Sequence, residues 1–447
     1  MKQQTMPTIP DVCILGLGYI GLPTASLLAT KGFCVAGMDA NDKLIQSLRH
    51  GKCLIYEPAL DVMVKSALKS GHLTVDTKPR EAEIFIICVP TPFKDKHKPD
   101  LSYVESAAAC IAPFLRSGNL VILESTVPVG TTERMAGLLA DMRPDLRIGQ
   151  DSPGNSEPVY VAHCPERVLP GRILHELVEN DRIVGGIDQE STRKGVDFYK
   201  RFVSGSVQGT DSRTAEMIKL TENSFRDVNI AFANELSMLC QELDLNVWEV
   251  IELANRHPRV NILQPGAGVG GHCIAVDPWF LVDSAPQTAR LLRLAREVND
   301  SKPKAIIART LEAVAEQSNP TVVCLGLSFK PDIDDLRESP ALAIAEALAE
   351  ANVNLLICEP YIQTLPPSLG NRPNVRKADL EDCLQDGDII VALVKHTPFL
   401  NIAADRLVQK TVIDACGLWR GKQAASMTPE RAGSDPWQIR ALQILPF

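Results

Sequence analysis

Short, almost wholly apolar runs alternate with helix-length amphipathic stretches through the first half of the chain. Val12–Leu15, Cys34–Met38, Ile84–Val89 and Leu120–Leu123 have the apolar character of strands buried on both faces. Between them lie stretches of helical period such as Leu22–Lys31, closed by Gly32, which accepts the left-handed backbone of a helix terminus. Strands alternating with helices predict an α/β fold with a doubly wound parallel sheet. Arg213–Leu245 departs from that rhythm. It holds no Gly or Pro and keeps helical period throughout, which at ~1.5 Å per residue predicts a rod of ~45 Å. So long a helix is expected to connect domains and to pack against a second subunit. Another helix is expected from Asn246, a good N-cap. A Gly/Pro-rich loop over 256–272 follows, then further helix to about Gln317, which Pro303 is expected to kink or break. The βα rhythm resumes at Val322–Leu325, Val353–Cys358, Ile389–Val394 and Val412–Asp414, predicting a second Rossmann-like domain. The residues after Gly421 read as irregular. The expected organisation is a Rossmann domain over 1–210, a central helical domain over 211–318, a second Rossmann-like domain over 319–425 and a tail over 426–447.

Composition narrows the function. The chain has 447 residues, 45% hydrophobic and 23% charged, enough for a sizeable core in several domains. A net charge of −9 without a basic tract argues against a nucleic-acid surface. No apolar run approaches bilayer length, and the N-terminus lacks the apolar segment of a secretory signal. Twelve cysteines occur without a CxxC pair, which fits a reducing cytoplasm and excludes zinc ribbons by spacing. Eight histidines without an HxxxH pair give no expected metal site.

The chemistry begins at Gly16-Leu17-Gly18-Tyr19-Ile20-Gly21, a GxGxxG that follows a strand and opens a helix. Gly16 permits the tight turn, Gly18 lets a pyrophosphate approach the backbone, and Gly21 lets helix pack on strand. The helix N-terminus offers N–H groups to phosphate. Asp39, at the end of the next strand, suits a ribose diol and repels a 2′-phosphate, so NAD is expected rather than NADP. Later strands run into Pro90-Thr91-Pro92, Glu124-Ser125-Thr126 and Cys164-Pro165-Glu166-Arg167. Taken singly, Thr91, Thr126 and Glu166 read as ordinary turn residues. Together, at the carboxyl edge of a doubly wound sheet, they are placed to converge near the nicotinamide. Lys219, Asn223 and Arg226 share one face of the long helix, as a solvated stripe or as donors aimed at an oxyanion. In Pro265–Cys273, glycines at 266, 268, 270 and 271 are expected to let a ligand approach the backbone closely. Cys273 is expected near a helix start, where the dipole favours a thiolate; the other cysteines read as inert. Lys330 and Arg337, with Arg256 and Arg259, are either surface charges or clamps for a diphosphate.

The ordered set GLGYIGLP (16–23), VPTPF (89–93), EST (124–126), CPERVLPG (164–171), KLTENSFRDVNIAFANEL (219–236), PGAGVGGHCIAVDP (265–278) and FKPDIDDLRESP (329–340) resembles the nucleotide-sugar 6-dehydrogenases of the UDP-glucose/GDP-mannose dehydrogenase family. The stretch 255–280 is most similar to the branch acting on UDP-N-acetyl-D-mannosamine. The resemblance implies two Rossmann-like lobes joined by a long central helix, an N-terminal NAD-binding lobe, a C-terminal UDP-sugar-binding lobe and a homodimer formed through the helical middle. It implies oxidation of the sugar C6 alcohol to a carboxylate with two NAD, in bacterial envelope-polysaccharide biosynthesis. Cys273 is implied as nucleophile and Lys219 as acid/base or oxyanion-stabilising group. Asn223 and Asp277 assist, Thr126 positions water and Glu166 serves hydrolysis. Arg167, Val168, Lys219, Asn223, Arg226, His257, Arg259, Gly270, Phe329, Lys330 and Arg420 fall at substrate positions. Tyr19, Ile20, Asp39, Thr91 and Arg337 fall at NAD positions. Ala267 stands where the family often has Pro, which is expected to loosen the loop. The same mechanism on UDP-N-acetylglucosamine or UDP-glucose is the first alternative. A single-step 3-hydroxyacid dehydrogenase and a non-catalytic nucleotide-sugar sensor are the others.

Overall fold

The structure, a computed structural model, describes residues 9–55, 57–94, 97–150, 152–168, 171–271, 273–419 and 444–446. The chain groups into two compact units, Met1–Glu222 and Asn223–Phe447.

The strands of the first unit are β1 (Val12–Leu15), β2 (Val35–Met38), β3 (Leu73–Asp76), β4 (Ile84–Ile87), a hairpin of β5 (Phe93–Lys94) and β6 (Lys98–Pro99), β7 (Leu120–Leu123), β8 (Tyr160–His163), β9 (Arg182–Gly186) and β10 (Val207–Asp211). The main sheet runs β10-β9-β8-β7-β4-β1-β2-β3. Its alternate residues serve two cores. Ile14, Ile86, Ile122 and Ala162 pack on one face, while Cys13, Phe85, Val121 and Val161 pack on the other. Burial on both faces is why these strands read as continuous apolar runs. Strand order reverses between β1 and β4, and ligands bind outside the carboxyl ends of strands at such a reversal. One pair departs from the parallel expectation: β9 lies antiparallel to β8. The chain reaches β9 through a loop and the short helix Ile173–Glu179, and an antiparallel neighbour needs no full return crossover.

The second unit contains β11 (Thr321–Leu325), β12 (Asn354–Cys358), β13 (Val375–Lys377), β14 (Ile389–Ala392), β15 (Thr411–Asp414) and β16 (Ile444–Pro446). They pair in the order β13-β12-β11-β14-β15-β16, all parallel, with the reversal between β11 and β14. The tail is therefore not irregular throughout. Its residues 444–446 add a strand to β15, whose outer edge would otherwise present unpaired backbone groups.

The long helix spans Ser212–Glu242. Asn246 caps the next helix, Val247–Ala254, by accepting the Trp248 and Glu249 N–H groups. Helices Asp277–Ser284 and Arg290–Ala315 follow. Pro303 does not break the second of these, which continues through it. Its ring instead lies where a side chain at Gly268 would project, 3.2 Å away. No described helix is long and apolar enough to cross a membrane.

Candidate active site

The three turn glycines have different reasons for being glycine. Gly16 has φ +88°, and a Cβ there would lie 2.5 Å from the Cys88 carbonyl oxygen. A Cβ on Gly21 would lie 1.8 Å from the Gly16 oxygen. Both are packing constraints. A Cβ on Gly18 meets nothing within 4 Å, leaving the open approach that a pyrophosphate needs above the helix Gly21–Thr30. Asp39 closes the cradle: one carboxylate oxygen accepts the Leu17 N–H at 2.8 Å and the other the Asn41 N–H at 2.8 Å. Each oxygen keeps a lone pair for a ribose hydroxyl. Tyr19 is 38% exposed beside this turn. These residues fit NAD, which when bound supplies the hydride acceptor.

The carboxyl ends of the central strands are cross-linked by side chains. Thr91 Oγ1 donates to the Thr126 carbonyl at 2.7 Å, joining the loops after β4 and β7. Ser125 Oγ donates to Val89 O at 2.6 Å. Glu166 is buried and ion-paired with the buried Arg182 at 3.0 Å; its other oxygen accepts the Arg167 N–H. Glu124 is also buried. It accepts from the Tyr199 hydroxyl at 2.5 Å and from Cys88 Sγ at 3.2 Å. Burial pushes the Glu124 carboxyl above its usual range, against the pull of Arg182. Arg182, Tyr199 and Glu124 were not legible as site residues, because their partnership spans 75 positions.

The long helix is fastened to this edge by Glu216. Its carboxylate accepts from the backbone N–H of Gly130 and from both the N–H and hydroxyl of Thr132. Lys219 lies one turn further along the same helix, half-buried. Arg167 is engaged by Glu222 at 2.6 Å and by the Asp181 carbonyl. Val168 is half-buried against the apolar core.

In the second unit Asn223 Nδ2 donates to the buried Asp277 carboxylate at 2.5 Å. Asp277 opens the helix that follows the glycine loop, and its N–H donates to the Cys273 carbonyl at 2.8 Å. Cys273 is thus one turn ahead of that helix, and it is the one exposed cysteine of the twelve. Burial pushes the Cys13 thiol up to about 11 and those of Cys164 and Cys324 to about 12, which makes them inert. The start of the loop is set by a buried polar chain. Gly266 N–H donates to Asn234, Asn234 to Asn299, and Asn299 to Asp227, which is ion-paired with Arg296 at 2.7 Å. Nearby, burial lowers the Lys302 ammonium to about 7, and it donates to Ser237 Oγ at 2.6 Å.

The loop glycines have a packing reason of their own. A Cβ on Gly268 would meet Pro340 at 2.9 Å, one on Gly270 the Glu338 oxygen at 2.3 Å, and one on Gly271 the Phe329 ring at 3.0 Å. Only Gly266, of the four, faces open space. At Gly268, Gly270 and Gly271 the loop is packed closely on the 329–340 segment. Ala267 is buried in the apolar cluster that includes Val322 and Cys324 of β11.

Phe329 and Lys330 are half-buried on the turn after β11. Arg226, His257 and Arg259 are exposed. Arg337 lies in the second unit, where Asp335 holds its guanidinium at 2.5 Å. Arg420 lies outside the described residues, as does His272.

Three family models match the chain in order. These are the NAD binding domain of the UDP-glucose/GDP-mannose dehydrogenase family over residues 10–203, its central domain over 213–301 and its UDP binding domain over 323–421. A UDP-N-acetyl-D-mannosamine dehydrogenase of Campylobacter jejuni is 53% identical over 399 residues, 89% of this chain and 98% of that one. An NDP-N-acetyl-D-galactosaminuronic acid dehydrogenase of Ralstonia nicotianae is 51% identical over 416 residues, 93% of this chain and 97% of that one. The solved structure of a UDP-D-ManNAc dehydrogenase from Pyrococcus horikoshii superimposes with a TM-score of 0.80 at 38% identity, covering 92% of this chain and 96% of that one. With the glycine cradle, the Asp39 clasp and the Asn223–Asp277 pair in place, the chain belongs to the UDP-glucose/GDP-mannose dehydrogenase family and is a nucleotide-sugar dehydrogenase that uses NAD.

Proposed function

We propose that this enzyme oxidises C6 of UDP-N-acetyl-D-mannosamine to the carboxylate through a covalent adduct on Cys273. The observation that carries the reading is the exposure of Cys273 one turn from buried Asp277, which accepts from Asn223. NAD held by Gly18, Tyr19, Ile20, Asp39, Thr91 and Arg337 would supply the hydride acceptor for each of the two oxidations at C6, one molecule for each. Between them, the Cys273 thiolate holds the aldehyde carbon as a thiohemiacetal, so the reactive aldehyde is not released. Lys219 and Asn223 stabilise the oxyanion of each covalent stage. The alcohol proton passes to Lys219 or to a water held on Asp277. Water then cleaves the resulting thioester, with Thr126 positioning it and Glu166 assisting. Phe329, Lys330, Arg167, Val168, Arg226, His257, Arg259, Gly270 and Arg420 hold the nucleotide sugar, and Tyr19, Ile20, Thr91 and Arg337 hold NAD. The domain limits proposed are those of the sequence reading, 1–210, 211–318 and 319–425.

The measurement is NADH formed per nucleotide sugar consumed by the purified enzyme. Two equivalents are expected. One would support single-step chemistry, and none would support a sensor. The name and 53% identity of the Campylobacter relative support the mannosamine nucleotide as the substrate. A second reading, the N-acetylgalactosamine epimer, is favoured by the Ralstonia relative at 51%. Comparing kcat/KM between the epimers, and against UDP-N-acetylglucosamine and UDP-glucose, decides the sugar; the highest value is expected for the mannosamine nucleotide.

The same enzyme is proposed to be a cytoplasmic homodimer. Phe225, Phe232 and Leu239 are 71%, 57% and 47% exposed at intervals of seven residues on the long helix, which places them on one face. An apolar stripe of this kind marks a protein interface. Sedimentation is expected to show a dimer for the parent and a monomer for Phe232→Asp at micromolar concentration. A dimeric variant, or a monomeric parent, rejects the stripe as the interface.

A further inference from the structure

The second sheet repeats the glycine turn of the first with one change. Gly326 follows β11 with φ +90°, as Gly16 follows β1 with φ +88°. Its N–H donates to Cys358 O, as that of Gly16 donates to Met38 O. Glu359, just beyond β12, accepts the Leu327 N–H at 2.7 Å, as Asp39 accepts that of Leu17 at 2.8 Å. Asp39 is half-buried, its outer side open to a ribose. Glu359 is buried and capped by His396, whose Nε2 lies 3.1 Å from Oε2. His396 follows β14, on the other side of the strand-order reversal, and is itself fully buried.

The imidazole joins two parts of the turn. Its Nδ1 accepts the Asp332 N–H at 2.9 Å, so the proton sits on Nε2, facing the carboxylate. Asp332 has φ +62°, a conformation that a non-glycine residue keeps only when its surroundings over-determine it. Those surroundings are present. The Asp332 carboxylate accepts from Thr397 N–H at 2.8 Å, Thr397 Oγ1 at 2.7 Å and the Tyr361 hydroxyl at 2.8 Å. Ser328 Oγ closes the turn onto Lys330 O at 2.7 Å. Burial alone would raise the Glu359 carboxyl, but hydrogen bonds from His396, Leu327 and Tyr361 outweigh it and hold it below its usual range. The segment so held carries Phe329, on which Gly270 and Gly271 pack, and Lys330.

We propose that His396 is a positioning residue for nucleotide-sugar binding: its two ring nitrogens lock the 326–332 turn in the one register that presents Phe329 and Lys330. The inference rests on the proposed substrate role of those two residues. A sugar-reading acid of the first lobe is thereby replaced, in the second, by a rigid internal strut.

The full-length enzyme tests this with three variants, by KM for the nucleotide sugar, KM for NAD and calorimetric Kd for UDP. His396→Gln can reach Glu359 but leaves the Asp332 N–H without its acceptor. It is expected to raise the nucleotide-sugar KM and the UDP Kd about tenfold, the value of one such hydrogen bond, with NAD KM within about twofold. His396→Asn places an oxygen where Nδ1 stood and is expected to recover most of that loss. Thr397→Val, at an exposed position that tolerates change, is expected to move the same two constants in the same direction by a smaller factor. Unchanged UDP affinity in His396→Gln and Thr397→Val overturns the proposal. So do equal losses in the Asn and Gln variants with a parallel rise in NAD KM. Lys330→Ala separates the two claims. If it weakens UDP while His396→Gln does not, the positioning role fails and the substrate reading stands. If neither weakens UDP, the substrate reading fails.

Discussion

Cys273→Ser is expected to cut carboxylate formation by on the order of 10³-fold or more, the scale of losing a catalytic nucleophile, while folding like the parent. The side chain is exposed, so the substitution opens no cavity. A serine hydroxyl stays protonated at neutral pH and captures an aldehyde far less effectively than a thiolate. Oxidation should then stop at the first stage. Single-turnover assays with excess NAD are expected to show two equivalents of NADH in the parent and no more than one in the variant. Alkylation of the native enzyme should likewise modify Cys273 before the other cysteines, whose thiols are buried or half-buried. Two equivalents from Cys273→Ser at the parental rate would remove the covalent step from the mechanism.

The second large effect is expected from Arg182→Met. Arg182 is 1% exposed and pairs with Glu166, which is 7% exposed. Burial opposes its charge, but the Coulombic pull of Glu166, helped by that of Glu124, outweighs that burial and raises the guanidinium pKa. Removing one member of a buried ion pair typically costs about 3–5 kcal/mol, because the other charge is left uncompensated. Here two carboxyl groups, Glu166 and Glu124, lose the same counter-charge. Without the pull of Arg182, the Glu124 carboxyl, which burial already holds above its usual range, should rise further. The native variant then holds protons that the unfolded chain has released, so its stability falls as pH rises through that window. The deficit against the parent is therefore expected to be smaller at pH 5 than at pH 8. Urea unfolding at the two pH values measures it. A deficit under about 1 kcal/mol, or one independent of pH, would show that the pair carries no such load. Because the Glu166 loop and the Thr91–Thr126 link share this sheet edge, activity should fall with it.

The hydrophobic pattern by itself determined β1, β2, β4 and β7 of the first sheet, β11, β12, β14 and β15 of the second, the long helix and the two-lobed α/β rhythm. Leu120–Leu123 coincides with β7 and the Asn246 cap is as read, since burial on both faces and capping are properties of a few neighbouring residues. The nucleotide turn was equally legible, because Gly16, Gly21 and Asp39 answer to a turn, a helix and the next strand close by. The tertiary structure alone decided what those windows could not contain. Glu124 read as part of a turn until Tyr199 and Arg182 were brought to it. The packing of Phe329, Glu338 and Pro340 against the glycines before Cys273 lay equally far from any local window. His396 carried no local signal, since its partners Asp332 and Glu359 come from the loops after β11 and β12. The antiparallel β9 and the added strand β16 belong to the same class. Periodicity and propensity act over about one element length, whereas the choice of a distant partner depends on strand order and on which buried polar groups must be satisfied once that order is set.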